Sequence, residues 1–152
     1  FTIATGDGVH SVDANIPLVA CLPEIAVSTR DAREVVPETA SMEQLVETVG
    51  NAATLTAGMY RSDPELVGRG MGHPLVTPAR AKLITGYEAV ERAAREAGAV
   101  GVTVSGAGPS MLAVCREPRR RDVAAAMLDA FADSGVDARA YQTRVSRGAT
   151  LL

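Results

Sequence analysis

The chain has 152 residues, of which 47% are hydrophobic and 22% charged, close to the values of an average globular protein. Length and composition predict one folded domain and exclude a disordered or collagen-like chain. The formal net charge is −3, aromatic residues make up 3% and Trp is absent, which argues against a nucleic-acid partner. No apolar run approaches the ~18 residues that a membrane-spanning helix needs, and no basic segment opens the chain. We therefore expect a cytoplasmic protein with no membrane contact.

The chain is predicted to begin with the remnant of a preceding domain, followed by a strand. Because the chain opens on Phe1 and runs directly into a strand-like segment, we expect residues 1–14 to be the remnant of a preceding domain and residues 15–152 to form a C-terminal domain. Residues 14–23 are an apolar run bounded by prolines, which predicts a buried strand. Cys21 in this run and Cys115 in a later one are predicted to be buried free thiols rather than metal ligands.

Three helices are predicted next. Ser28 with Asp31 marks the start of a short helix that ends before Pro37, and the segment 41–44, Ser-Met-Glu-Gln, is a capping box that opens a longer one. Apolar residues recur along that longer helix at helical spacing and predict core packing. They are Leu45, Val49, Ala52, Leu55 and Met59. Asp63-Pro64 begins a third helix, predicted to end near Met71.

The second half of the chain predicts the rest of an α+β fold. Residues 70–78 are rich in Gly and Pro and predict a loop, and 79–97 predict one helix that Gly98 terminates. Residues 99–105 and 111–115 predict a hairpin, 118–134 a helix, 137–145 a strand, and the last residues a tail. This order predicts a ferredoxin-like split β-α-β fold. It has a four-stranded antiparallel sheet with helices on one face and extra helices inserted after the first strand.

The densest chemical signal is the hairpin connection, residues 105–110, Ser-Gly-Ala-Gly-Pro-Ser. Gly106 and Gly108 allow positive φ and close approach of a ligand to the backbone, and successive free amides in such a loop can hold an anion. A plain hairpin turn is the alternative interpretation of a bare Gly-x-Gly. No Gly-Lys-Ser/Thr follows, so this is not a Walker phosphate loop.

Three segments together carry a family resemblance. Residues 103–113, Thr-Val-Ser-Gly-Ala-Gly-Pro-Ser-Met-Leu-Ala, resemble the third signature of the GHMP small-molecule kinases, in the form typical of the homoserine kinase branch. Residues 23–37, with Ser-Thr-x-x-Ala-Arg before a closing Pro, and residues 73–87, with His-Pro and Ala-Arg-Ala-Lys-Leu-Ile, are similar to two further segments of that branch. The three lie in the family's order, and the resemblance extends over nearly the whole chain.

The resemblance implies a function and a set of site residues. It implies ATP-dependent phosphorylation of the side-chain hydroxyl of L-homoserine in threonine biosynthesis, with Arg33 and Arg80 binding the substrate carboxylate through their guanidinium forks. Each arginine considered alone could equally be a surface or ion-pairing residue. The resemblance also implies that the hairpin connection supports the phosphate-binding loop through Ser105, Gly106, Ala107, Gly108, Pro109 and Ser110. His73 is expected to be structural, and His10 receives no role.

The chain departs from the family in what it lacks. The family's ATP-binding loop, Pro-x-x-x-Gly-Leu-Gly-Ser-Ser-Ala, and the acidic Mg²⁺ ligand that follows it have no counterpart in these 152 residues. The resemblance therefore implies that an N-terminal GHMP domain supplies the sites for ATP and Mg²⁺, and that no catalytic or metal-binding residue lies in this chain. We expect the chain alone to be inactive. A homodimer is also possible, because an isolated piece exposes its interdomain face.

Two other functions stay open at this point. The chain could be a stand-alone amino-acid-binding regulatory module, because split β-α-β domains also serve as ligand sensors. It could also belong to a GHMP kinase for another small-molecule alcohol, since such kinases share the third signature. The paired arginines favour an amino-acid carboxylate over the latter.

Overall fold

The structure is a computed structural model, and it describes residues 1–145. Its elements are β1 (Thr2–Ala4), β2 (Val9–Ser11), β3 (Pro17–Pro23), α1 (Asp31–Glu34), α2 (Met42–Arg61), α3 (Pro64–Gly70), α4 (Val76–Ala81), α5 (Tyr87–Glu96), β4 (Ala99–Val104), β5 (Met111–Cys115), α6 (Arg120–Asp133) and β6 (Ala138–Arg144). Strands β3 to β6 form one antiparallel sheet in the order β4-β5-β3-β6, with Val19 opposite both Ala113 and Gln142. The predicted α+β class and four-stranded sheet are confirmed. The predicted C-terminal tail lies outside the described residues.

The sheet carries an apolar core on each face. Val19 and Cys21 of β3 face the larger core, which is completed by α5 and α6. Leu18 and Val114 face the second core, which is completed by α3 and the end of α2. The prediction that the helices cover one face is therefore wrong in part. The uninterrupted apolar runs of β3 and β5 are the physical reason, because a strand buried on both faces needs apolar residues at successive positions.

Residues before β3 pack onto the second core. Strands β1 and β2 form a two-stranded antiparallel hairpin, in which Thr2 pairs with Ser11. Val12 and Ile16 are buried against Met59 and Val67. Ile3 of the hairpin packs against the same core, so the hairpin contacts the rest of the described chain. The predicted domain boundary after residue 14 stays a prediction.

The single helix predicted over 79–97 is two helices. Helix α4 begins at Val76, inside the predicted loop, and α5 begins at Tyr87. Pro78 is tolerated in the first turn of α4 because amides there have no intrahelical acceptor. Gly86 separates the helices with a φ of +82°, a left-handed conformation that costs glycine little. The apolar spacing does not reveal this turn because it continues through both helices.

Helix α2 begins as predicted but is only half buried. Ser41 Oγ accepts a hydrogen bond from the Gln44 amide at 3.1 Å, and Gln44 Oε1 accepts one from the Ser41 amide at 2.9 Å, which confirms the capping box. Met59 is buried in the second core and Leu55 packs against it. Leu45, Val49 and Ala52 are exposed, so the prediction of core packing is wrong for the first half of the helix. The reason is length, since α2 has 20 residues and α3, on which it packs, has seven.

Replacing Asp63 by alanine should lower the free energy of unfolding by about 1 kcal/mol. Asp63 Oδ1 caps α3 by accepting hydrogen bonds from the amides of Glu65 at 3.0 Å and Leu66 at 3.3 Å. Urea unfolding measures the change, and Asp63→Asn, which keeps an acceptor oxygen, is the matched control. Equal losses in both variants would show that the side-chain acceptor contributes nothing.

The free energy of unfolding should fall at alkaline pH because two buried side chains, the Cys21 thiol and the Tyr87 phenol, have raised pKa values. Burial raises the pKa of the Cys21 thiol from the ordinary 9.0 to about 11, and burial, aided by the charge of Glu91, raises the pKa of Tyr87 to about 12. The folded state therefore holds these protons more tightly than the unfolded state. The contribution of Cys21 is complete below pH 9 and is lost as the pH rises through 11.

Urea unfolding between pH 8 and pH 11 measures this loss, with Cys21→Ala as the variant whose dependence on pH should be shallower. Burial also raises the pKa of Cys115, so both thiols should stay unreactive toward alkylation in the folded protein. Alkylation at pH 8 as fast as in urea would contradict the prediction.

Candidate functional site

The Gly-rich loop between β4 and β5 has the backbone that its sequence predicts. Gly106 and Gly108 have φ values of +56° and +85°. The Ser105 amide donates to the Ser110 carbonyl at 2.7 Å, and the Gly108 amide donates to the Ser105 carbonyl at 2.9 Å. Within residues 1–145 the amides of Gly106 and Ala107 have no acceptor. They are available to an anion at the tip of the loop.

Arg80 joins this loop to α1. Its Nε donates to the Ala32 carbonyl at 3.1 Å and its Nη1 donates to the Gly106 carbonyl at 2.7 Å. The side chain is half-buried. A guanidinium has five N–H groups in a fixed plane, so three remain, two of them on Nη2. Arg80 can thus position the loop and offer its Nη1–Nη2 edge to a carboxylate at the same time.

Arg33 is the residue after the one that Arg80 binds. It follows Ala32, whose carbonyl Arg80 binds, so α1 is held to the loop at this point. The Arg33 side chain is exposed, and no hydrogen bond or ion pair of it occurs within the described part of the chain. The structure therefore brings together Arg80 and the Gly-rich loop, and it leaves Arg33 at the edge of this group.

A cavity of about 240 Å³ lies between α4 and the end of β4. Its lining residues are Met71, His73, Val76, Thr77, Arg80, Thr103, Val104 and Gly106. Arg80 is the one permanently charged side chain among these lining residues, and none of them is an acid. An uncompensated guanidinium in a small cavity favours an anionic group such as a carboxylate or phosphate.

Thr77 and Thr103 are cavity residues that sequence analysis did not identify. Their Oγ1 atoms lie 3.2 Å apart, within hydrogen-bond distance, and join α4 to β4. Thr77 precedes Arg80 by three residues on α4, so the two side chains share a face of that helix. The three-residue spacing from Arg80 could therefore have identified Thr77 as a cavity residue from the sequence. Thr103 opens the signature segment 103–113, but its place in the cavity depends on α4 lying beside β4.

His73 has the structural role expected of it. Its Nδ1 accepts hydrogen bonds from the amides of Leu75 and Val76, each at 3.2 Å, and its own amide donates to Thr77 Oγ1 at 3.3 Å. The imidazole therefore caps the start of α4. Because Nδ1 is an acceptor, the ring proton lies on Nε2. His10 is exposed in β2.

Residues 1–145 contain no cluster of three His, Cys, Asp or Glu side chains that could hold a metal ion. None of the residues that line the 240 Å³ cavity supplies a carboxylate, the side chain through which proteins usually bind Mg²⁺. The free amides of Gly106 and Ala107 fit contact with a phosphate oxygen. In the same range, no helix combines the length and apolarity needed to cross a bilayer.

Comparison with known proteins shows the family to which the chain belongs. The family model "GHMP kinases C terminal" matches residues 55–133. Homoserine kinase of Halorubrum lacusprofundi is 71% identical over 152 residues, which are all of this chain and 52% of that protein. Homoserine kinase of Haloarcula marismortui is 68% identical over 149 residues, 98% of this chain and 51% of that protein. The chain thus spans about half the length of the curated relatives it matches.

A solved structure has the same fold. The crystal structure of homoserine kinase from Cytophaga hutchinsonii superimposes with a TM-score of 0.85 at 34% identity, over 92% of this chain and 45% of that one. The α+β fold described above is therefore found within a protein of that name.

Proposed function

Because this chain belongs to the family of GHMP kinase C-terminal domains, we propose that it is the substrate-side half of a homoserine kinase. Such an enzyme transfers the γ-phosphoryl group of ATP to the side-chain hydroxyl of L-homoserine, forming O-phospho-L-homoserine for threonine biosynthesis. The identities of 71% and 68% to proteins named homoserine kinase support this substrate over other alcohols. We place the enzyme in the cytoplasm.

The observation that carries the proposal is the cavity with a single cation. Homoserine has a carboxylate at one end and the reacting hydroxyl at the other. Arg80, with three N–H groups left after binding the carbonyls of Ala32 and Gly106, binds the carboxylate. Arg33, exposed on the helix that Arg80 contacts, supplies a second cation from the edge of the cavity.

The Gly-rich loop acts as support in this proposal. The segment from Ser105 to Ser110 is held by its internal hydrogen bonds and by Arg80, and it keeps the amides of Gly106 and Ala107 at the surface. These amides stabilise negative charge on the transferring phosphoryl group without reorganising. ATP and Mg²⁺ are held mainly by an N-terminal GHMP domain, which is the partner of this chain.

The test is homoserine-dependent release of ADP, measured on the 152-residue chain and on the polypeptide extended upstream of Phe1. Activity confined to the extended protein would support the proposal. A panel containing homoserine, mevalonate and galactose separates the substrate from those of related kinases. Absence of homoserine-dependent activity in both proteins would overturn the proposal.

A further inference from the structure

The hydroxyl groups of Thr77 and Thr103 form a hydrogen-bonded pair at the wall of the 240 Å³ cavity. We infer that this pair donates a hydrogen bond to the substrate carboxylate that Arg80 binds, and that it makes the cavity selective for substrates that carry a carboxylate. The inference rests on the proposed function, which places the carboxylate of homoserine at Arg80. It adds a second donor, on a different element of the fold, to the proposed carboxylate site.

The fold places both hydroxyls where a ligand can reach them. Thr103 lies near the end of β4, an edge strand of the described sheet that α4 contacts. Thr77 lies in the first turn of α4, three residues before Arg80 and on the same face of the helix. Both threonine side chains are half-buried. They therefore form part of the cavity wall and are not sealed in either apolar core.

The pair holds one more proton than it uses internally. A threonine hydroxyl donates one hydrogen bond and can accept two. The contact between the two Oγ1 atoms of Thr77 and Thr103, at 3.2 Å, uses one of the two hydroxyl protons. Within residues 1–145 neither hydroxyl donates to another acceptor, so the second proton is available to a ligand.

The contact with His73 indicates which hydroxyl holds that proton. The His73 amide donates to Thr77 Oγ1 at 3.3 Å, so Thr77 already accepts one hydrogen bond. A hydroxyl that accepts a hydrogen bond becomes a stronger donor, because hydrogen bonds in a chain polarise one another. Thr77 therefore donates to Thr103, and Thr103 donates into the cavity.

The polar side chains of the cavity wall match a carboxylate better than they match the ammonium group of homoserine. Arg80 offers its Nη1–Nη2 edge and Thr103 offers one proton, whereas His73 Nδ1 already accepts two amides of α4. None of the lining residues is an acid, so an ammonium group would lie beside a cation without a counterion. A carboxylate has two oxygens with about four acceptor sites, so it can bind the guanidinium and the hydroxyl at the same time.

The first experiment measures initial rates of the polypeptide extended upstream of Phe1. Thr103→Val should raise the KM for homoserine about tenfold and leave kcat and the KM for ATP within about twofold, because the hydroxyl contacts the carboxylate and not the reacting atoms. Thr103→Ser keeps the hydroxyl and should restore most of the affinity. The matched control is Thr143→Val, at an exposed threonine of β6, the strand at the other edge of the described sheet, and its KM should not change.

An unchanged far-UV circular dichroism spectrum verifies the fold of each variant. If Thr103→Val does not fold, Thr103→Ala, which removes the hydroxyl without putting a methyl group in its place, carries the same expectation. A homoserine KM that stays unchanged on loss of the hydroxyl, in an active enzyme, would overturn this inference alone. Absence of homoserine-dependent ADP release by the unmodified extended polypeptide would overturn the proposed function, and the inference with it.

A second experiment separates a donor to the carboxylate from a pair that only holds α4 against β4. Two competitive inhibitors are compared, L-2-aminobutyrate, which keeps the carboxylate and lacks the reacting hydroxyl, and 3-aminopropan-1-ol, which lacks the carboxylate. Thr103→Val should raise the inhibition constant of L-2-aminobutyrate about tenfold and leave that of 3-aminopropan-1-ol unchanged. An equal rise for both inhibitors would show that the pair is structural and would reject the inference.

Discussion

Under the proposed function, replacing Arg80 by alanine in the polypeptide extended upstream of Phe1 is expected to raise the KM for homoserine by roughly 10–100-fold, equivalent to about 1.4–3 kcal/mol for a lost charged hydrogen bond. The reason is that Arg80 is the sole permanent charge among the residues that line the 240 Å³ cavity. The substitution also removes the bridge between Ala32 and Gly106. Initial-rate kinetics at saturating ATP measure the change.

Two further variants separate the functions of this side chain. Arg80→Lys keeps the charge but cannot bind two carbonyls and a carboxylate in one plane, so its KM should also rise. Arg116→Ala removes an arginine that is 70% exposed in its side chain and paired with Glu65, and it should leave the KM unchanged. An unchanged homoserine KM in Arg80→Ala would exclude the carboxylate role. A rise confined to the KM for ATP would show that Arg80 acts by positioning the Gly-rich loop rather than by binding the carboxylate.

The sheet was predictable because its signals are local and strong. The β4–β5 hairpin combines β-branched runs with Gly106 and Gly108, and both glycines have the positive φ that the turn needs. The starts of α2 and α3 were equally predictable, because Ser41 and Asp63 form their caps within three residues. In each case the groups that decide the structure are neighbours in sequence.

The errors concern properties that depend on distant residues. Helical spacing indicates that a face is apolar, but whether it is buried depends on the length of the element beside it, which is why Leu45 and Val49 were misassigned. The division of helices between the two faces of the sheet is likewise set by tertiary packing. The break at Gly86 had a local signal, the Thr-Gly pair at 85–86, but the continuing apolar spacing concealed it.

In the candidate site, too, the sequence predicted some features, and the others depend on tertiary packing. The loop from Ser105 to Ser110 was found from its glycines, and the role of Arg80 came from the family resemblance. The structure joins the two through one hydrogen bond of 2.7 Å. The contact between Thr103 and Thr77 could not be predicted, because it depends on α4 lying beside β4. The binding roles of Arg33 and Arg80 stay predictions that kinetics must test.

Replacing Gly68 by alanine should destabilise the protein by about 2 kcal/mol through a clash between backbones. An added Cβ at Gly68 in α3 would lie 2.5 Å from the Val100 carbonyl oxygen and 2.9 Å from the Gly101 nitrogen. Neither atom is the end of a flexible side chain, so α3 must move away from β4. Overpacking of this kind costs about 3 kcal/mol, and the better helix propensity of alanine offsets about 1 kcal/mol.

Gly50→Ala is the matched control, because Gly50 is also a helical glycine but has nothing within 4 Å of an added Cβ. At Gly50 only the better helix propensity of alanine has an effect, so the free energy of unfolding should rise by about 0.5–1 kcal/mol. Thermal unfolding should therefore move the two Tm values in opposite directions, down by roughly 4–8 °C for Gly68→Ala and up by a few degrees for Gly50→Ala. If Gly68→Ala were as stable as Gly50→Ala, α3 would not approach β4 backbone to backbone. The second core would then lack the contact that holds α3 on this face of the sheet.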